Sequence, residues 1–180
     1  MGKKEDEDST TPLISTLHSL AKRSLGSVKL VDEKTASAWN QQYPAWSVTA
    51  KDRIDGGVAA GIPAQYDTLR NRLTPQAVWH PEIRRFAGKW EAWKRESELL
   101  DFTDLLERCV ESVATAPGAP ASLIVDEAQD CSPLMMRLIH KWAEKVERLY
   151  LIGDEDQCIF NWMGADPTVM LDPPLPADQI

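Results

Sequence analysis

Two adjacent acids, Asp126 and Glu127, follow the apolar run Leu123-Ile124-Val125. Such a run, without alternation, predicts a strand buried on both faces of a parallel sheet. Ligands of parallel α/β sheets bind at the carboxyl ends of the strands. Phosphoryl transfer needs a carboxylate that holds Mg²⁺ and a group that orients the attacking water, and two diverging acids could supply both. On these two residues alone, a solvated strand end is the simpler interpretation, because acid pairs are common.

A second apolar run, Leu149-Tyr150-Leu151-Ile152, ends in Gly153-Asp154. Between the two runs, Ser132-Pro133 predicts a helix cap followed by a first-turn proline. The predicted helix buries one apolar face, formed by Met135, Leu138, Ile139, Trp142 and Val146. The order strand, helix, strand predicts two parallel strands that lie side by side with their acids at one edge.

Two further amphipathic helices are predicted upstream. The first begins at Pro81 and places Ile83, Phe86, Ala87, Trp90 and Trp93 on one face. The second is capped by Asp101, and its apolar face holds Phe102, Leu105, Leu106, Cys109, Val110 and Val113. Nearer the start, residues 13–16 are compatible with a strand. Thr16 is placed to cap a helix from Leu17 to about Leu25, and Gly26 is placed to end it.

The charge of the 180-residue chain is uneven. Residues 1–97 carry 15 basic and 12 acidic side chains, whereas residues 98–180 carry 5 and 16. A basic front half that faces phosphate and an acidic back half that holds metal can belong to one DNA-handling enzyme, although an ordinary solvated surface gives the same count. The three cysteines show no C-x-x-C spacing, which favours a reducing cytoplasm over a disulfide framework or zinc site. The sequence contains no apolar run of about 18 residues, so no membrane span is predicted.

The longer strings around these residues resemble a known family. LIVDEAQD and LYLIGDEDQCIFNWMGAD resemble motifs II and III of UvrD/Rep-type superfamily 1 DNA helicases. STLHSLAKR resembles motif Ib of that family, and LLDFTDLLE resembles its D-F-x-D-L-L segment. The resemblance covers roughly 13–25 and 99–166, and the form of motif III looks most like phage-encoded and bacterial members.

The resemblance implies a partial RecA-like domain of the P-loop NTPase type, with a parallel sheet and a helical insertion. Residues 13–26 and 99–170 would form that ATP-binding domain, and residues 27–98 would form the insertion. Residues 1–12 are expected to be a disordered tail and residues 171–180 a truncated linker. The expected compartment is the cytoplasm of a bacterium or a phage-infected host.

The resemblance also implies roles in ATP hydrolysis for five residues. Asp126 would hold the Mg²⁺ shell and Glu127 would polarise the hydrolytic water. Gln157 would sense the γ-phosphate, and Gln129 and Asp130 would support that network.

For DNA, the resemblance implies that Phe160 and Trp162 stack on bases of single-stranded DNA, and that Thr16 and His18 contact its backbone. Stacking on an aromatic ring contributes about 1–3 kcal/mol per base and ignores sequence. Core packing is the alternative for Trp162, and a structural role is the alternative for His18.

The sequence contains no G-x-x-x-x-G-K-[ST] loop, whose amides and lysine cradle nucleotide phosphates. Gly-Lys occurs only at Gly2-Lys3 and Gly88-Lys89, followed by Lys4 and Trp90. One hypothesis is a segment of an ATP-dependent helicase that acts on single-stranded and duplex DNA, inactive alone and completed by other segments or a partner polypeptide. The other is a non-catalytic truncated protein that binds DNA or a helicase. An unrelated α/β protein with an accidental acid pair is the weakest alternative.

Overall fold

A computed structural model describes residues 13–49, 61–158 and 165 of the chain, and they form a mixed α/β structure. The helices of these residues are α1 (Leu17–Leu25), α2 (Glu33–Gln42), α3 (Ile62–Asn71), α4 (Pro81–Glu96), α5 (Phe102–Ser112) and α6 (Pro133–Ala143). The strands are β1 (Lys29–Leu30), β2 (Leu99–Leu100), β3 (Ser122–Val125) and β4 (Arg148–Leu151). Short 3₁₀ turns lie at Pro44–Trp46, Gln76–Val78, Ala128–Asp130 and Glu155–Gln157.

Local capping chemistry explains where several helices begin. The Thr16 hydroxyl accepts a hydrogen bond from the Ser19 amide at the start of α1, and Gly26 ends that helix with a positive φ of 76°. Asp101 caps α5, and Ser132 caps α6 ahead of a first-turn proline. Each hydroxyl or carboxylate satisfies a backbone N–H that has no partner inside its helix. The predicted starts of α1, α4, α5 and α6 are confirmed.

Two short parallel sheets lie in the described part of the chain. β1 pairs with β2, and β3 pairs with β4 in the register Ser122↔Arg148 to Val125↔Leu151. The prediction that the two apolar runs form neighbouring parallel strands is therefore confirmed. The second strand begins one residue earlier than predicted. Residues 13–16 form no strand, because they lead directly into the α1 cap.

The prediction that β3 is buried on both faces is wrong for the described residues. Side chains alternate along β3 and β4 between exposed and half-buried. Ile124 is 62% exposed and Tyr150 is 46% exposed, whereas Leu123 packs against the core that α5 and α6 build. One face of this sheet is thus covered by helices, and no described element covers the other.

The buried apolar side chains form two separate clusters. The first lies between α1, α5 and α6 and is composed of Ala21, Leu100, Leu105, Leu106, Cys109, Ala116, Leu134, Leu138 and Trp142. The second, the tryptophan cluster, is composed of Val31, Trp39, Tyr66, Trp79, Ile83, Phe86, Ala87, Trp90 and Leu99. No helix within 13–49 and 61–158 is long and apolar enough to cross a membrane. The division of the chain at residues 27–98 stays a prediction.

Candidate functional site

Asp126 and Glu127 lie exposed directly after β3, at the carboxyl edge of the β3–β4 sheet. The ladder continues beyond the strands: the Ile152 amide donates to the Val125 carbonyl at 2.8 Å, and the Ala128 amide donates to the Ile152 carbonyl at 2.9 Å. Glu127 adopts a left-handed conformation with φ 53°. A non-glycine residue there costs of order 1–3 kcal/mol, and such residues cluster at functional sites. The turn therefore holds the two acids at a fixed place on the sheet edge.

Gln129 connects this turn to the end of β4. Its side chain is almost fully buried, at 1% exposure. Its Nε2 donates to the Glu127 carboxylate at 2.6 Å, and its Oε1 accepts from the Asp154 amide at 3.1 Å. Both ends of the carboxamide are thus satisfied inside the protein, as a buried amide requires. Gln129 orients Glu127 and fixes the two segments relative to each other.

Gly153 leaves the space that Gln129 fills. A Cβ atom at this position would lie 2.2 Å from Gln129 Oε1 and 3.1 Å from the Ala128 nitrogen. Real Cβ atoms essentially never lie within 3.0 Å of such an atom, so a side chain here would displace the Gln129 carboxamide. The glycine before Asp154 is a packing requirement of the link between the two segments.

Asp154 and Gln157 extend the same hydrogen-bond path. Gln157 Nε2 donates to Asp154 Oδ2 at 2.7 Å, and the Asp156 amide donates to Asp154 Oδ1 at 3.1 Å. A continuous path therefore runs from Glu127 through Gln129 and Asp154 to Gln157. No role was predicted for Asp154 from the sequence. Its position after the strand-end glycine was the available signal.

Asp130 closes the short turn after Glu127, because its amide donates to the Glu127 carbonyl at 2.9 Å. Next to it, burial and the Asp130 charge raise the pKa of the Cys131 thiol to about 11. A thiol with a raised pKa stays protonated at neutral pH and is a poor nucleophile or metal ligand. Cys131 is therefore a packing residue at this edge.

The predicted DNA-contact residues lie on α1 or outside the described residues. Thr16 caps α1, which packs against α5. The half-buried His18 ring meets the Phe102 ring edge-on, with centroids 5.6 Å apart, and Phe102 is 45% exposed. No DNA contact was predicted for Phe102, the aromatic neighbour of His18, from the sequence. Phe160 and Trp162 lie outside the described residues.

A buried cluster of charges, which was not predicted from the sequence, lies between α3, α4 and α5. Asp101 accepts from Arg70 Nη1 at 3.1 Å, from Lys94 Nζ at 2.7 Å and from the Trp90 indole at 3.1 Å. Asp104 accepts from Arg70 Nη2 and Lys94 Nζ, both at 2.6 Å. Both acids belong to the D-F-T-D-L-L stretch, and Glu91 and Glu107 lie at the rim of this charge cluster.

Burial and charge act differently on the two acids of the charge cluster. Burial alone would raise the pKa of Asp101, but the adjacent Arg70 and Lys94 hold it below its ordinary value. Burial and the charge of Asp101 raise the pKa of Asp104, because they outweigh the same two cations. The cluster is thus built around an ionised Asp101.

The described residues define a mixed α/β protein with exposed acids at the carboxyl edge of a short parallel sheet. Residues 62–174 match the family described as the UvrD/REP helicase N-terminal domain. The match covers more than half of the chain, and the chain belongs to this family.

Relatives in three bacteria are similar over about half of the chain. One subunit of the ATP-dependent helicase/nuclease of Geobacillus kaustophilus is 32% identical over 109 residues, which are 50% of this chain and 9% of the relative. The ATP-dependent DNA helicase UvrD2 of Mycobacterium tuberculosis is 30% identical over 101 residues, 51% of this chain and 14% of the relative. The ATP-dependent DNA helicase PcrA of Leuconostoc citreum is 29% identical over 113 residues, 57% of this chain and 15% of the relative. The chain therefore spans a small part of the length of these relatives.

Proposed function

We propose that this chain supplies part of the ATP-hydrolysing motor of a UvrD-like DNA helicase, which translocates on single-stranded DNA and unwinds duplex. The observation that carries the proposal is the hydrogen-bond path from Glu127 through Gln129 and Asp154 to Gln157. A motor must connect the group that acts on the nucleotide to a group that reports its state. This path joins two such candidates at one sheet edge.

The sheet-edge acids fit a Mg²⁺ ion carried by a nucleotide. Within the described part of the chain, no lysine, arginine or histidine nitrogen lies within salt-bridge distance of Asp126, Glu127 or Asp154. Exposed carboxylate oxygens without an internal counter-charge are the ligands that Mg²⁺ prefers. Asp126 would hold the ion, which neutralises charge on the phosphates when bound. Asp130 would support this edge through its turn.

Glu127 is the candidate for orienting the hydrolytic water. Its carboxylate is exposed, and the hydrogen bond from Gln129 fixes one of its oxygens. The other oxygen remains available to accept a hydrogen bond from water, which is the geometry that in-line attack needs.

Gln157 is exposed, and its side-chain amide donates a hydrogen bond to the Asp154 carboxylate. A phosphate oxygen could replace that carboxylate as the acceptor. In this way Gln157 would sense the γ-phosphate.

DNA contact is proposed for the aromatic residues and for the start of α1. His18 and Phe102 present adjoining rings, and the His18 residue is half-buried whereas Phe102 is 45% exposed. A base that stacks on Phe102 would lie near His18 and the exposed Thr16. Phe160 and Trp162, which belong to the motif III string, would supply further stacking positions. Trp162→Ala is expected to weaken single-stranded DNA binding of the reconstituted helicase by about 1–3 kcal/mol, with little change in melting temperature. A collapse of stability with unchanged affinity per folded molecule would assign Trp162 to the core.

The ATP half of the proposal is tested by phosphate release from the purified chain. We expect no ATP hydrolysis above background, with Glu127→Gln as the control. The sequence lacks a G-x-x-x-x-G-K-[ST] loop, and the exposed acids at the sheet edge repel a nucleotide that is itself strongly negative. Turnover that disappears in Glu127→Gln would contradict the expectation and would show that the chain builds its own phosphate site.

A non-catalytic protein that binds DNA or a helicase partner is the second candidate. The open face of the β3–β4 sheet favours it, because Ile124, Tyr150 and Ile152 are 62%, 46% and 53% exposed. Neighbouring exposed apolar side chains mark surfaces that pack against another polypeptide. If ATP hydrolysis by the reconstituted helicase survives Glu127→Gln unchanged, this second candidate replaces the first.

A further inference from the structure

A cavity of about 770 Å³ lies between the last turns of α4, the beginnings of β1 and β2, and α5. Its volume falls within the range of about 300–1,000 Å³ that is typical of small-molecule sites. Side chains of both signs line it, from four separate segments of the chain. The cavity is therefore large enough for a ligand of nucleotide size and has polar walls that could orient one.

This cavity is separate from both sites of the proposed function. It is lined by Asp104 and Arg108 of α5, which are four residues apart and therefore share one helix face. Phe102 precedes Asp104 by two residues, which is a rotation of about 200° around the helix. The ring pair of Phe102 and His18 thus lies on the opposite face of α5, and none of the sheet-edge acids lines the cavity.

The acids in the cavity wall already have partners. Asp104 and Glu91 contact Lys94 Nζ at 2.6 and 2.9 Å. Glu98 contacts Lys29 at 3.2 Å, in a pair whose side chains are 71% and 80% exposed. The negative charge of the wall is therefore largely neutralised from within the protein, and the Lys29 pair is too exposed to resist exchange with a ligand.

Two arginines of the wall have no counter-charge among the described residues. Arg95 on α4 and Arg108 on α5 are both exposed, and within the described part of the chain no carboxylate lies within 4.0 Å of either guanidinium. They come from different helices and line the same cavity. A guanidinium presents a planar fork of donors that matches phosphate oxygens, and it is weakly hydrated compared with an ammonium.

We propose that this cavity binds a phosphate-bearing ligand, with Arg95 and Arg108 as the groups that contact the anion. Lys29 becomes a third contact when a phosphate takes the place of Glu98. The phosphate can come from a free nucleotide or from the backbone of single-stranded DNA, because both present the same oxygens. The proposal goes beyond the motor function and does not depend on it, since it uses neither the sheet-edge acids nor the aromatic pair.

The test is titration of the full chain at low salt with pyrophosphate and, separately, with a short single-stranded oligonucleotide, followed by calorimetry. The variant is Arg95→Gln/Arg108→Gln. The matched control is Arg84→Gln/Arg85→Gln, which removes the same charge from exposed positions of α4 outside the cavity. We expect the cavity variant to weaken at least one ligand by about tenfold or more, and the control to change it little. Arg95→Lys/Arg108→Lys should keep part of the affinity that the glutamine variant loses, because lysine retains the positive charge but lacks the planar donor pair of a guanidinium.

The two ligands distinguish the two possible sources of the bound phosphate. A cavity-dependent loss for pyrophosphate indicates a free phosphate ligand, and a loss for the oligonucleotide alone indicates a DNA backbone. Absence of binding to both ligands overturns the proposal, and so does equal weakening by the two double variants. None of these readouts requires ATP hydrolysis, so failure of the motor proposal would leave them unchanged.

Discussion

Two groups of acidic side chains stand in opposite environments in this protein. Asp101 and Asp104 are buried and contact Arg70 and Lys94. Asp126 and Glu127 are exposed at a strand end, without a cation from the described part of the chain. A carboxylate that is removed from water needs a fixed partner charge, whereas one that stays in water can take a cation from solution. Environment, and not residue type, separates the structural acids from the candidate functional ones.

Proximity of acids is a poor guide to metal binding here. Oxygens of Glu91, Asp101 and Asp104 lie within 4.8 Å of one another, a spacing that would suit a metal ion. The Lys94 ammonium, however, lies 2.9, 2.7 and 2.6 Å from these three side chains. It already supplies the positive charge where a metal ion would lie. The tighter acidic cluster is therefore structural, and the looser pair at the sheet edge is the better metal candidate.

The largest effect is expected for Asp101→Asn. Asparagine is as good a helix cap as aspartate, so the change removes the charge and keeps the cap. Arg70 and Lys94 then stay buried without their main counter-charge, which costs about 3–5 kcal/mol of unfolding free energy. Urea unfolding measures the loss. Asp126→Asn is the control and should stay within about 0.5 kcal/mol of the parent. Equal losses of unfolding free energy in the two variants would show that the buried and the exposed acids contribute alike to stability.

A smaller loss is expected for Asp104→Asn. Burial and the charge of Asp101 raise the pKa of Asp104, so ionisation of Asp104 is less favourable than ionisation of Asp101. The Asp101 amide donates to the Asp104 side chain, and an asparagine oxygen can still accept that bond. We expect a cost of about 1–3 kcal/mol in the same urea experiment. A cost above that of Asp101→Asn would show that Asp104 is the centre of the charge cluster.

Two glycine substitutions test the link that holds the exposed acids. Gly153→Ala places a Cβ on Gln129 Oε1 and should cost about 1–3 kcal/mol, because overpacking forces buried groups to move. Gly88→Ala in α4 meets no atom within 4 Å and should stabilise the chain by about 0.5–1 kcal/mol, since alanine is the better helix former. Thermal melting of the pair gives the comparison. If Gly153→Ala melts like the parent, Gln129 is not held as described.

Local signals in the sequence predicted much of the fold. Caps depend on neighbouring residues only, so the helix starts at Thr16, Asp101 and Ser132 could be read directly. The parallel pairing of β3 and β4 followed from two apolar runs joined by one helix. The exposed second face of β3 could not be predicted, because burial of a strand depends on elements distant in sequence.

The candidate site was predictable in its residues but not in its connections. Asp126, Glu127 and Gln157 were singled out by spacing and resemblance, and their catalytic roles stay predictions. The buried position of Gln129 between Glu127 and Asp154 required the fold. So did the charge cluster, because Arg70 lies 31 residues from Asp101 and no local pattern joins them.

Metal binding distinguishes the exposed acids at the sheet edge from the buried acids of the charge cluster. Mn²⁺, which takes the same oxygen ligands as Mg²⁺, can be titrated into the full chain and followed by electron paramagnetic resonance. We expect a weak site that Asp126→Asn weakens by at least about tenfold and that Asp104→Asn leaves unchanged. Loss of Mn²⁺ binding in a folded Asp104→Asn variant, with binding retained in Asp126→Asn, would contradict this expectation and would move the metal site to the charge cluster.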